Sequence, residues 1–360
     1  MLTPLPQPPS VTDSASRADA RLREVLALHL DPRDGSVYWL DRQSAMNFDI
    51  RREVRSVADL QRIGPMAPAA LARRPLLDFV PRALHTDRND WILAQTGGAT
   101  GCPVWTVYAP REFEEAFVAP FTAAAAHVGF PRGGLWLYAG PSGPHIIARA
   151  ARRLARTCDA PEPFSVDFDP RWARKMPAGS FGAQRYLQHV VDQALAVIES
   201  QEVTVLFTTP PLLTALAPHM TPPQRDRIRG IHYGGTHLSA AALRDFQTRW
   251  FTQAVHLSGY GNTLFGCCLE LDVSPGRVPA YFPHGDRLIL TSAPGAAPNA
   301  ARVPLCFSRL DATMLLLNVE ERDTAEFVQP PVSAPRGFNV AGARDVGPDT
   351  GTQLPAAGLY

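Results

Sequence analysis

The stretch "QTGGATGCPVWTVY" (95–108) gathers Thr96, Gly97, Gly98, Thr100 and Gly101 into a short loop between two runs of strand-forming residues. Glycine admits positive φ and lets a ligand approach the backbone, and threonine adds hydroxyl donors. Successive N–H groups in such a turn form a concave nest suited to phosphate. A plain hairpin turn has the same composition, and this stretch alone does not separate the two. Two further glycine segments carry hydroxyls: "GGT" (234–236), with Gly234, Gly235 and Thr236, and "GYGNT" (259–263), with Tyr260, Gly261 and Thr263. None of the three matches GxxxxGK[ST], and none sets GxGxxG between a strand and a helix. A P-loop NTPase and a Rossmann dehydrogenase are therefore both poor fits.

The elements that must position these loops are legible from periodicity. "WILA" (91–94) and "VWTVY" (104–108) read as strands on either side of the first loop. "GLWLYA" (134–139) reads as a strand leading through "GPSGP" to the helix "HIIARAARRLAR". "QRYLQHVVDQALAVIES" places Leu187, Val190, Val191, Ala194, Leu195 and Ile198 on one helical face. Strands follow at "VTVLF" (203–207), "RGIHY" (229–233) and "AVHLS" (254–258), the last ending at "GYGNT". Thr209 before Pro210, and Ser239, are N-caps for the intervening helices. Alternation of strand and helix predicts an α/β fold with a parallel sheet covered on both faces, and ligands in such sheets bind beyond the carboxyl ends of the strands. "GGT" and "GYGNT" fall there. An amphipathic helix over 17–30, with Leu22, Val25, Leu26 and His29 on one face, opens the domain. The domain is expected over 17–345, between flexible ends at 1–16 and 346–360.

Composition narrows the partners. The 360 residues carry 35 basic and 34 acidic side chains, a net charge of +1, which gives no general pull toward nucleic acid or anionic membrane. Small molecules are the expected partners. The five cysteines form no CxxC pair and no metal-ligand spacing with the ten histidines, so reduced thiols in a cytoplasmic protein are expected. The first residues lack the basic and apolar regions of a signal peptide, and no apolar run reaches the ~18 residues that suggest a membrane span.

In order and spacing, the three loops resemble those of the adenylate-forming enzymes: acyl-CoA synthetases, peptide-synthetase adenylation domains and luciferases. The resemblance runs from "DIRREVRSVADL" (49–60) to "GARD" (342–345), and that opening and the early glycine loop are most similar to phenylacetate-CoA-ligase-like proteins. It implies the large N-terminal domain of that fold, with mixed and parallel sheets flanked by helices. Residues 96–101 would be the phosphate loop, Gly234, Gly235 and Thr236 the adenine-side segment, Tyr260 the adenine-stacking ring and Thr263 the α-phosphate contact. Asp311 in "VPLCFSRLDAT" would bind ribose, Arg344 or Asp345 would be the hinge before a smaller C-terminal domain, and His145 falls where the family often has a substrate-side histidine. A capping or structural role for His145 stays equally open. ATP and AMP are the implied ligands, with Mg²⁺.

This chain departs from the pattern at two charged positions: Val104 stands where the family has its loop lysine, and Leu264 where it has its motif glutamate. It also ends soon after "GARD", and the resemblance then implies either a separate protein that supplies the smaller domain and its lysine or an activity that is slow or lost. Short members of this kind resemble the adenylating proteins of griseoluteic acid biosynthesis. The expected function is ATP-dependent activation of an aromatic or heteroaromatic carboxylic acid, a phenazine carboxylate among them, in specialised biosynthesis. Its alternatives are a catalytically degenerate acid- or nucleotide-binding protein and an acyl-protein synthetase acting on a fatty acid. Expected partners are an aryl acid, a protein partner or an acyl acceptor, and a second copy in a homodimer. Other suggestive residues have bland readings: Arg149, Arg152, Arg153 and Arg156 as a solvated face, His237 as a loop histidine, Met176, Phe181 and Phe207 as core, and Cys267 and Cys268 as buried small hydrophobes.

Overall fold

The computed structural model describes residues 11–98, 102–293 and 300–348, with residues 11–16 and 68 described by their backbone only. The opening amphipathic run forms α1 (Val11–His29), and Leu22, Val25, Leu26 and His29 are all buried. The helix starts six residues before the expected domain boundary at 17. His29 bonds Ser36 Oγ at 3.1 Å and the Asp311 carbonyl at 3.3 Å, and burial lowers its pKa to about 4, leaving a neutral core imidazole. The "RSVADL" opening is a helix start: Asp59 accepts from the Ser56 N–H at 2.9 Å and from its hydroxyl at 2.8 Å.

Strands β1 (Ile92–Gln95) and β2 (Trp105–Tyr108) pair antiparallel, with Ile92 opposite Tyr108 and Gln95 opposite Trp105, so the first glycine loop is a hairpin connection. After α2 (Ala119–Val128), β3 (Leu135–Ala139), α3 (Ile146–Thr157), β4 (Phe164–Val166), α4 (Pro170–Lys175) and α5 (Phe181–Ser200) follow. The alternation continues through β5 (Val203–Thr208), α6 (Pro210–Leu216), β6 (Gly230–Tyr233), α7 (Ala240–Asp245) and the hairpin β7 (Val255–Asn262) and β8 (Gly266–Leu269). These strands form a six-stranded sheet in the order β4-β3-β5-β6-β7-β8, parallel except for β8. Thr209 and Ser239 cap α6 and α7, accepting from the Leu212 and Ala242 N–H groups. One face of the sheet packs on α5, α6 and α7 and the other on α2 and α3, as its nearly continuous apolar strands require.

"GYGNT" differs from expectation. The strand does not end before it: β7 runs on to Asn262, where the chain reverses into β8. The close approach of the two strands explains the glycine, because a Cβ on Gly261 would lie 2.8 Å from Cys267 Cα.

A second, antiparallel sheet comprises β9 (Ala280–Tyr281), β10 (Leu288–Ser292), β11 (Val303–Leu310), β12 (Leu315–Val328) and β13 (Gly342–Pro348), in the order β10-β11-β12-β13-β9. It packs with α1 and the β1–β2 hairpin around a core that includes Val104, Val107, Phe307 and Leu316. β13 carries the chain to Pro348, so residues 346–348 belong to the sheet and not to a loose tail.

Candidate active site

A cavity of about 540 Å³ lies beyond the carboxyl ends of β3 and β6, bounded by the first glycine loop, the start of α3 and the β7–β8 hairpin. All three glycine segments reach it, through Thr96, Gly97 and Gly98, through Gly234 and Gly235, and through Gly259, Gly261 and Thr263. The strand order makes this convergence possible. The chain passes from β3 outward to β4 and then returns to β5 on the other side of β3, the kind of switch point at which loops separate and leave a crevice.

The first loop is held from two sides. Thr96 and Val104 form a closing pair, with Thr96 N–H donating to the Val104 carbonyl and Val104 N–H donating to Thr96 Oγ1, both at 2.9 Å. Gly98 has a φ of 71°, a conformation that glycine adopts without strain. From outside the hairpin, α4 contributes Arg171, whose guanidinium donates to Gln95 Oε1 at 2.9 Å, and Arg174, whose Nη1 donates to the Gly97 carbonyl at 2.8 Å. Asp169 starts α4 by accepting from the Arg171 N–H. Thr100 and Gly101 lie outside the described residues.

His145 follows β3 and occupies the N-cap position of α3 without making a side-chain cap bond. It lines the cavity, and its Nε2 is buried with no hydrogen-bond partner among the described residues. Burial, reinforced by the nearby Arg171 guanidinium, lowers its pKa, favouring the neutral imidazole. His232 from β6 also lines the cavity; burial brings its pKa to about 4, and its Nδ1 bonds the Leu257 carbonyl at 2.9 Å. Phe117, Ile146, Ile147, Ala150 and Leu154 supply apolar lining. Val104 and Leu264 line the cavity as well, placing two aliphatic groups where the resemblance implies a lysine and a glutamate.

β12 brings Glu320, Glu321 and Arg322 to the cavity. Glu321 accepts from Asn262 Nδ2 at 2.7 Å, and burial together with the neighbouring Asp323 carboxylate pushes its pKa up to about 7. Among the described residues, no cluster of three or more acidic, histidine or cysteine side chains is arranged to hold a metal ion. The Leu264 side chain has no oxygen, so this position supplies no carboxylate where the resemblance implies one for Mg²⁺.

Several expected site residues lie elsewhere. Tyr260 is not part of the cavity lining: alternation along β7 sends Gly259 and Gly261 toward the cavity and the Tyr260 ring toward the core. There it packs near Phe265 and Tyr281 and donates its hydroxyl to Asp323 at 3.1 Å. An adenine-stacking role for Tyr260 is not what this geometry provides. Thr236 also lies off the lining, with a buried Oγ1 that has no partner among the described residues. Asp311 is fully buried and paired with Arg287 Nη2 and Arg309 Nε at 2.6 Å each and with Arg21 Nη2 at 3.4 Å. The arginines outweigh its desolvation and hold its pKa near 2. It ties α1 to the second sheet and leaves no face for a ribose. Arg344 lies in the middle of β13, paired with Glu326 across the sheet, and Asp345 pairs with Arg302. Neither reaches the cavity.

Cys267 lines the cavity, but burial pushes its thiol up to about 12 and it donates to the Ala116 carbonyl at 3.4 Å. His237 bonds the Val346 carbonyl at 2.8 Å. Sequence reasoning missed Arg174, Glu321, Arg322 and His232. The i, i+3 spacing of Arg171 and Arg174 after a capping Asp169 and Pro170 was the available signal for α4. The β12 residues carried none, because only the packing of the second sheet brings them to this cavity.

No protein-family model matches the chain, and no curated protein matches it in sequence. In structure it is similar to 2-hydroxyisobutyryl-CoA ligase in complex with 2-HIB-AMP and CoA in the thioesterification state. The TM-score is 0.66 at 12% identity, over 92% of this chain and 67% of that one. An open conformation of the same ligase, also with 2-HIB-AMP and CoA, gives 0.66 at 12% identity over 96% of this chain and 73% of that one. At such identity the likeness speaks for the fold alone: the chain shares the mixed α/β fold of that ligase. No helix among the described residues is long and apolar enough to cross a membrane.

Proposed function

We propose that this protein binds an adenine nucleotide and a carboxylic acid in the one cavity and adenylates the acid. The observation that carries this is the convergence of three glycine segments, at 96–98, 234–235 and 259–263, on a crevice beyond the ends of a parallel sheet. In the reaction a carboxylate oxygen attacks the α-phosphorus of ATP. The bond from that phosphorus to the bridging oxygen breaks, and pyrophosphate leaves with the electron pair. What a protein adds to such a step is alignment and fixed donors around the developing charge. The backbone of Gly97 and Gly98 and the Thr263 hydroxyl are suited to the phosphates. Neutral His145 is suited to the acid: when Nε2 carries the imidazole proton it donates to a substrate oxygen and gains a partner that none of the described residues provides.

Phe117, Ile146, Ile147 and Leu154 make an apolar-lined cavity, which favours an aromatic or heteroaromatic acid, phenazine carboxylates included. The test is acid-dependent pyrophosphate release across a panel of aryl and alkyl acids, with hydroxylamine trapping of the acyl adenylate. Release with an acid, abolished in Thr263→Ala, is the expected result. Nucleotide binding with no release from any acid overturns the catalytic part. A second reading, a protein that binds acid and nucleotide without turning them over, is favoured by Val104 and Leu264, which replace two charged groups by aliphatic ones.

A further inference from the structure

The turn of the β7–β8 hairpin fixes the hydrogen-bonding sense of one wall of the cavity. We infer that Glu321 is the acceptor by which this site recognises a hydroxyl or amino group on its ligand. The inference rests on the reading of the cavity given above and adds to it a requirement on the ligand: an O–H or N–H donor placed against β12.

Asn262 ends β7, and its Oδ1 accepts from the Leu264 and Phe265 N–H groups at 2.8 and 3.2 Å. An amide whose oxygen is held by two backbone donors turns its NH₂ outward, so the two ends of this side chain are not interchangeable. Nδ2 donates to Glu321 Oε1 at 2.7 Å. This is the one side-chain hydrogen bond of Glu321 among the described residues, and it leaves Oε2 to a ligand. An ionised carboxylate has acceptors only, so the group it meets has to be a donor.

β12 presents this residue through an irregularity. Between the pairs Cys306–Glu320 and Pro304–Thr324, β11 spans residues 304–306 while β12 spans 320–324, so β12 bulges there. A regular strand would send every second residue to one side, whereas Glu320, Glu321 and Arg322 all line the cavity. Glu320 and Arg322 are exposed and opposite in charge, so this wall exerts little net pull on a charged ligand and selects by hydrogen bond. Glu321 is more enclosed, and Arg322 acts on its carboxyl less than burial, Asp323 and Asn262 do. His145 calls independently for a polar occupant: it lines the same cavity, is 7% exposed, and its Nε2 has no partner among the described residues.

Glu321→Gln reverses the wall. The Asn262 NH₂ still requires an oxygen opposite it, so the glutamine turns its own NH₂ to the cavity and offers donors where the glutamate offers an acceptor. The experiment is calorimetric titration of two ligand series into the wild-type protein and Glu321→Gln at pH 8.5, where the Glu321 carboxyl is ionised. One series is adenosine, its 2′-deoxy and 3′-deoxy analogues, and purine riboside, which lacks the amino group. The other is benzoate and its hydroxy and amino derivatives. The first series reads a donor on a nucleoside and the second a donor on the acid. In one of them, removing a single donor should cost the wild-type protein about 10- to 100-fold in affinity. Glu321→Gln should lose that preference and bind the donor-free analogue as the wild-type protein does, which also shows its cavity intact. The inference is wrong if no donor matters to the wild-type protein, if the preference survives in Glu321→Gln, or if the variant weakens every analogue equally. Failure of the wild-type protein to bind any member of either series overturns the reading of the cavity and the inference with it, a result distinct from those read in the variant.

Discussion

Glu321 offers a measurement whose sign and size follow from its surroundings. Its carboxyl is buried beside Asp323 and accepts a hydrogen bond from Asn262, and its pKa rises from the ordinary 4.5 to about 7 because burial and the like charge outweigh that bond. A carboxyl that holds its proton more tightly when folded than when unfolded makes the folded chain bind more protons between pH 4.5 and 7. Stability contributed by this group is therefore present below that window and is lost as pH rises through it. The full displacement corresponds to about 3 kcal/mol of preference for the neutral form. Glu321→Gln keeps an oxygen to accept from Asn262 and removes the charge. The variant should match the wild-type protein near pH 4, below the window, and exceed its stability by up to about 3 kcal/mol at pH 8.5. Paired urea unfolding curves at five pH values would measure this. A difference between the two proteins that is the same near pH 4 and at pH 8.5 would refute the reasoning, since a packing effect has no reason to titrate.

Asp311→Asn should destabilise the fold by about 3–5 kcal/mol, because it strips the carboxylate from three arginine partners and leaves their charges in the core; urea unfolding at pH 7 checks it, and a loss under about 1 kcal/mol would contradict the pairing. Brief alkylation with iodoacetamide at pH 8 should label exposed Cys102 and spare Cys158, Cys267, Cys268 and Cys306, whose thiols are pushed up by burial. Peptide mapping that finds Cys267 modified as fast as Cys102 would reopen it as an acyl acceptor.

Local pattern was enough for much of this protein. The 3.6-residue periodicity of 17–30 and 184–200, the β-branched run at 203–207, the short strand at 229–233, and the caps Thr209 and Ser239 each follow from interactions within one turn or one strand. The alternation of these elements was enough for the parallel sheet, because crossover connections leave few other arrangements. The glycine segments were identified for the same reason: the need for positive φ or close backbone approach is written in the residue type, as Gly98 and Gly261 show.

What the sequence left open depends on partners distant along the chain. Tyr260 faces the core because of the parity of β7, which extends farther than its apolar run suggested. Asp311 is taken by Arg21, Arg287 and Arg309, the first of them 290 residues away, and only the packing of α1 on the second sheet brings those charges together. Arg174 and Glu321 reach one cavity from α4 and β12 by the same long-range route. The sequence by itself determined which loops are able to approach a phosphate; the tertiary structure decided which charges stand beside them, because an ion pair is set by distance in space and residue type carries no record of that distance.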